Sequence, residues 1–164
     1  SEGFPPPSPR GRAREGVFTP SLIHLFTFHH RGTVSTQLLF LSEADTEQIL
    51  KWPDVIACLD SAYQAPDDPQ AAPPRVVARK GSAWLRVLAA LSASGRSMGV
   101  KIIGRARTPQ ASYLIPLWDQ ATAELVCLLD GKHITAMRTA GTTAVAVDRL
   151  LPPGGINVAV LGAG

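Results

Sequence analysis

Cysteine is scarce in this chain: Cys58 and Cys127 are the only two in 164 residues. They stand far apart in apolar surroundings. That excludes a disulfide framework and reads as reduced core thiols in a cytoplasmic protein. Long apolar runs are also missing. No stretch approaches the roughly 18 apolar residues of a membrane span, so no membrane partner is expected. A convincing secretory leader is absent, because no basic region directly precedes an apolar run with a small-residue cleavage site after it. An initiator Met is absent too, which reads as a chain that starts within something longer or has been processed. His29-His30 lack a third ligand at useful spacing, so no metal is expected. An excess of one charge sign is lacking as well. The net charge is +3, and residues 1–36 supply +2 of it through Arg10, Arg12, Arg14 and Arg31 against Glu2 and Glu15. The remaining 128 residues carry 12 basic and 11 acidic groups. Such a balance argues against a nucleic-acid partner.

Proline, glycine, arginine and serine are plentiful at the start. SEGFPPPSPRGRAREG has a disordered composition, and residues 1–36 are read as a tail, with LIHLFTFHH a short apolar segment inside it. The ordered part is expected from Gln37. Leu38–Leu41 reads as a strand, and Ser42 as the N-cap of a helix, with Asp45 its capping-box partner. Pro53 restarts a second helix, whose buried face is expected at Val55, Ile56, Leu59, Ala62 and Tyr63. Residues 64–74 form a loop. Strands follow at 75–79, 84–91, 98–103, 113–118 and 125–129.

The last third is the most informative. Asp130-Gly131 reads as a hairpin-type turn. Thr135 is the expected N-cap of a helix over 136–151, with Ala140, Ala144, Val147 and Leu151 toward a core. Pro152 to Gly155 stops it. Residues 157–161 read as a strand running into Gly162-Ala163-Gly164, which is how a dinucleotide-binding unit begins, although an ordinary glycine turn would look the same. With Thr135 as cap, Arg138 falls in the first helical turn. There a guanidinium and the positive helix end together suit an anion, whereas a solvated face would explain it equally well. Lys101, in GVKIIG, interrupts an apolar strand. It is either on the solvated face or a desolvated cation able to hold a carboxylate or move a proton. The order of elements predicts an α+β domain with a mixed sheet over residues 37–155, followed at 156–164 by the start of an α/β unit.

FLSEADTEQIL, PPRVV at 73–77, GVKIIG at 99–104, LLDGKHITAMRTAGTTAVAVDRLL at 128–151 and INVAVLGAG at 156–164 together resemble the ornithine cyclodeaminase/mu-crystallin family. The resemblance covers about residues 38–164, and the Asp130–Ala140 segment carries most of it. It implies a substrate-binding and dimerisation domain followed by a Rossmann domain, of which only the first strand falls in this chain. It also implies hydride transfer between NAD or NADP and the Cα of a small amino or imino acid, in a homodimer. By match to the family motif, Arg75, Lys101 and Arg138 would hold the substrate carboxylate, and Lys101 would assist proton transfer. Thr139, Gly162 and Gly164 would approach the cofactor. Gly141 stands where the family usually has Ala, and WLRVLAALSAS lacks the usual Met-Pro pair. The chain is expected to be an N-terminal piece of such an enzyme, inactive alone. The alternative is a non-catalytic binding or dimerisation module of the same fold.

Overall fold

The structure, a computed structural model, describes residues 24–28, 36–151 and 157–162. Its elements run β1 (His24–Phe28), β2 (Thr36–Leu41), α1 (Glu43–Ile49), α2 (Trp52–Gln64), β3 (Val76–Lys80), β4 (Ala83–Leu91), β5 (Ser97–Arg105), β6 (Ser112–Asp119), β7 (Leu125–Asp130) and α3 (Lys132–Leu150). The strands form one sheet in the order β1-β2-β7-β6-β5-β4-β3. Each strand from β3 to β7 pairs antiparallel with the next. The meander ends when β7 docks parallel to β2, and β1 pairs antiparallel with β2 on its other side. The class is α+β with a mixed sheet, as the sequence predicts.

The local reasons are legible. At α1 the Ser42 hydroxyl accepts from the Asp45 N–H at 3.3 Å, and the Asp45 carboxylate accepts from the Ser42 N–H at 2.8 Å, a reciprocal capping box. Pro53 lies in the first turn of α2, where a missing N–H is harmless. Each meander strand is apolar on both faces, broken by a few cations, and turns separate them.

Several expectations need correction. His24–Phe28, placed in the tail, forms β1; a short β-prone segment can add to the free edge of β2. Asp130-Gly131 is not a hairpin turn. Asp130 ends β7, its carboxylate accepts from the Lys132 N–H at 2.8 Å, and Gly131 is the N-cap of α3. The helix therefore starts about a turn earlier than a Thr135 cap would allow. Thr135 lies inside it and its hydroxyl donates to the Gly131 carbonyl at 2.6 Å. The buried stripe shifts with the start: Met137, Gly141 and Val145 are buried, Ala144 and Val147 half-buried, and Ala140 and Leu151 exposed. Residues 157–162, expected to begin with a strand, carry no assigned strand; Val158, Val160 and Leu161 are exposed, with no ladder partner among the described residues.

Helices α1, α2 and α3 form one layer on the sheet. Lys132 reaches Glu43 on α1 at 2.9 Å. Arg149 near the end of α3 grips Asp60 on α2 through Nε at 2.9 Å and Nη2 at 2.6 Å, and this holds the Asp60 carboxyl below its usual range. Tyr63, expected in the buried face of α2, is exposed, and its hydroxyl shares a hydrogen bond with Thr142 at 3.0 Å. Val55, Ile56 and Leu59 are half-buried, and Ala62 is exposed. At the α2–α3 crossing Gly141 allows close approach. A Cβ there would lie 2.7 Å from Leu59 Cδ1 and 3.4 Å from Val55 Cγ1. Cys127 is buried, which pushes its thiol pKa up, while Cys58, expected in the core, is exposed.

The helices face one side of the sheet. In register across that side run Leu88, Lys101, Ile103, Tyr113, Ile115, Leu117, Cys127 and Leu129. The helix layer reaches β7 and β6, where α3 begins against Ile115 and Tyr113. It leaves β5, β4 and β3 as an open shelf. The opposite side of the sheet is apolar and, among the described residues, uncovered: Val76, Leu85, Leu91 and Leu114 are 69%, 47%, 45% and 36% exposed.

Candidate functional site

A cavity of about 500 Å³ lies where α3 meets the open shelf. Its wall includes Lys101 from β5, Ile115 and Leu117 from β6, Leu88 from β4 and Arg138 from α3. Strand alternation explains Lys101: it is level with Leu88, on the face that the helices flank, with Val100 and Ile102 pointing the other way. Lys101 therefore lines the cavity and is not on a fully solvated face.

Arg138 reaches the same cavity for a different reason from the one its sequence position suggests. It is the seventh residue of α3, in the second turn, because the helix starts at Lys132. The field of a helix end fades within the first turn, so the dipole plays little part here. Helical spacing places Arg138 directly after buried Met137, at the edge of the buried stripe, from where it reaches the shelf.

The electrostatics are unusual for a site without an acid. Burial pushes the Lys101 ammonium below its ordinary pKa, and the nearby Arg138 and Arg86 cations push it further down. No hydrogen bond or ion pair among the described residues satisfies the side chains of Lys101 or Arg138. Like charges held together without a counter-ion destabilise one another, and a bound anion relieves that strain. The surrounding sequence sharpens the effect. From residue 69 to residue 118 the chain has eight basic residues and no acidic one, so the near-neutral total conceals a segregation of charge.

The other expected site residues are not brought into the cavity. Arg75 is exposed one residue before β3; continuing the β3–β4 register makes it level with Leu88 and hence with Lys101, but it is not part of the cavity wall. Thr139 is exposed on α3, and its hydroxyl donates to the Thr135 carbonyl at 2.7 Å. Gly162 has φ +90°, a left-handed conformation that glycine adopts without penalty. Gly164 and His29-His30 lie outside the described residues. Among the described residues no group of three His, Cys, Asp or Glu could hold a metal, and no helix is long and apolar enough to cross a membrane.

Sequence reasoning overlooked Arg86. It sits in WLRVLAAL as Lys101 sits in GVKIIG, a single cation in an apolar strand, and alternation puts it on the same face. Its guanidinium lies over the Trp84 ring, 5.0 Å from the centroid.

A family model described as the ornithine cyclodeaminase/mu-crystallin family matches residues 37–164. The ketimine reductase mu-crystallin of Mus musculus is 32% identical over 120 residues, which is 68% of this chain and 38% of that protein. Among solved structures, the Δ1-pyrroline-2-carboxylate reductase of Thermococcus litoralis in complex with NADH and L-proline superposes with a TM-score of 0.60 at 22% identity, covering 70% of this chain and 38% of that one. An archaeal alanine dehydrogenase dimer with bound NAD gives 0.61 at 19% identity, covering 70% and 38%. These likenesses in structure establish the shared fold. The chain spans well under half the length of each of these relatives.

Proposed function

The chain belongs to the ornithine cyclodeaminase/mu-crystallin family, and on that premise we propose that it is the substrate-binding part of an NAD(P)-dependent enzyme acting at the Cα of a small amino or imino acid. The observation that carries the reading is the meeting of Lys101 and Arg138 in one cavity, both cationic and neither with a counter-ion among the described residues. Arg138 offers a planar fork suited to a carboxylate, and Lys101 a point charge beside it. Two cations on one carboxylate fix the orientation of the adjoining Cα and nitrogen, which is catalysis by positioning. A lysine whose pKa is lowered by burial gives up its proton more readily than an ordinary lysine, so Lys101 can also exchange a proton with the substrate nitrogen next to that carboxylate. Arg75, level with Lys101 on the adjoining edge, would close the carboxylate site from the β3 side. A nicotinamide cofactor, NAD or NADP, would supply or accept the hydride at Cα. Gly162, already in a turn conformation, and Gly164 are the residues of this chain proposed to lie against its phosphates, with Thr139 nearby.

The test is turnover in a protein that joins this segment to a nucleotide-binding domain. With a cyclic ketimine carboxylate, NADH or NADPH is oxidised, and Lys101→Met lowers kcat/KM by about a hundredfold or more, the scale of a lost proton-transfer group. A Lys101→Met enzyme with unchanged kcat/KM rejects the assignment. Absence of turnover on any such substrate would favour the non-catalytic module.

The uncovered sheet face supports a homodimer. Exposed apolar area of this kind, with no charged residue between Val76 and Leu114 on that face except Lys80 at the strand end, suits a self-complementary interface. Light scattering is expected to give twice the chain mass, and Leu85→Asp, which buries a charge at that interface, to give a monomer. A monomeric wild-type chain contradicts this arrangement.

A further inference from the structure

We propose that Arg86 forms a second anion-binding position beside Lys101 and Arg138, so that the site takes a small amino or imino acid bearing two carboxylates. The proposal rests on the carboxylate reading above and extends it to the class of substrate.

Placement is the first ground. Lys101 is level with Leu88, and Arg86 lies two residues along β4 on the same face, just beyond the wall of the cavity that holds Lys101 and Arg138. Such a diagonal spans about 7–8 Å between Cα atoms, within reach of two long side chains. A dicarboxylate with a two- or three-carbon spacer can touch a cation at each end of that gap.

Pre-organisation is the second. Arg86 is held against Trp84 by a cation–π contact, with 5.0 Å between guanidinium and ring centroid. A stacked guanidinium keeps its donors in the plane of the fork, ready for a bidentate carboxylate. Its Nε is buried and makes no hydrogen bond among the described residues. A buried donor without a partner is costly, and folded chains normally satisfy it.

The third is the lack of any competing acid. No aspartate or glutamate occurs from residue 69 to residue 118, so β3, β4 and β5 bring no counter-ion of their own. The next row of the same face adds Arg79 and Arg105, both level with Trp84, which makes this end of the shelf more positive still.

Calorimetric titration of the 164-residue chain with propionate and with succinate tests the proposal. Succinate is expected to bind about tenfold tighter or more, the worth of one added charge-assisted bidentate pair. Arg86→Gln is expected to bring the ratio to about one and to leave the propionate affinity within about twofold. Arg86→Lys, which keeps the charge but loses the fork and the stack, should retain only part of the preference. Equal affinities in the wild-type chain, or a preference that survives Arg86→Gln, overturn the proposal. Arg138→Gln separates this from the parent reading. If it weakens propionate while succinate has no advantage, the second position fails and the first stands; if it leaves propionate unchanged, both fail. Should Arg86→Gln lose the native circular dichroism spectrum, Trp84→Leu carries the test. It removes the stack and leaves the cation, and an undiminished succinate preference in that variant counts against a pre-organised fork.

Discussion

Arg138→Gln lowers the affinity for a small carboxylate at least about tenfold and leaves the fold intact. A hydrogen bond to a charged group is worth about 1.5–3 kcal/mol, and the fork would make two. The side chain is exposed and makes no hydrogen bond or ion pair among the described residues, so its removal breaks no polar contact among them. Lys101→Met loses affinity to a similar extent but gains stability. The sign follows from proton counts. Lys101 has a folded pKa below its ordinary 10.5 because burial, and then Arg138 and Arg86, disfavour the charged form. Between the folded value and 10.5 the unfolded chain holds more protons, so stability rises with pH across that window. Below the window the full penalty of holding the cation applies, and methionine removes it. Chemical denaturation of both proteins across neutral and alkaline pH checks this: Lys101→Met is more stable at neutral pH, and its advantage shrinks as pH rises toward 10.5. A destabilised Lys101→Met would mean that the lysine has a partner in the fold. A bound carboxylate reverses the shift, so binding takes up protons within the same window and weakens as pH rises through it.

Gly141→Val destabilises the fold by about 1–3 kcal/mol, the usual scale of overpacking. The first added carbon already lies 2.7 Å from Leu59 Cδ1, and two further methyl groups must fit between α2 and α3. Gly141→Ala is expected to differ. Alanine recovers about 1 kcal/mol of helix propensity, and the clash is with the tip of a flexible side chain, so the two effects nearly cancel. The double variant Gly141→Val, Leu59→Ala recovers part of the loss, because truncating Leu59 opens the space that the added valine side chain fills; a double-mutant cycle in urea gives the coupling. Strict additivity would show that the two helices do not meet at this point.

Gly141 also shows how far the sequence could be read. At that level it is a helix residue with poor propensity, and only the crossing with α2 reveals why it suits its place. Six of the seven strands and the three helices were visible, since apolar runs, the Ser42–Asp45 box, Pro53 and the turn residues act locally, whereas β1 was read as part of the tail. The start of α3 was misplaced because Thr135 has the right chemistry for a cap, while the actual start is set by Asp130 and Gly131 at the end of a strand. That shift moved the buried stripe to Met137, Gly141 and Val145 and took Arg138 out of the first turn. Lys101 and Arg138 still stood out, since a cation in an apolar strand and an arginine in the Asp130–Ala140 segment are conspicuous in themselves. Their meeting in one cavity depends on strand register and on where α3 crosses the sheet, which composition does not encode. Arg86 carried the same signal as Lys101 in a neighbouring strand, and alternation could have placed it.

The most direct measurement is a proton–nitrogen correlation experiment on the labelled chain titrated with L-proline. The proposed site predicts saturable shifts confined to the side chains of Lys101 and Arg138 and to the backbone around Ile115 and Leu117, and their disappearance in Arg138→Gln. Shifts centred elsewhere, or the same shifts in Arg138→Gln, would contradict it.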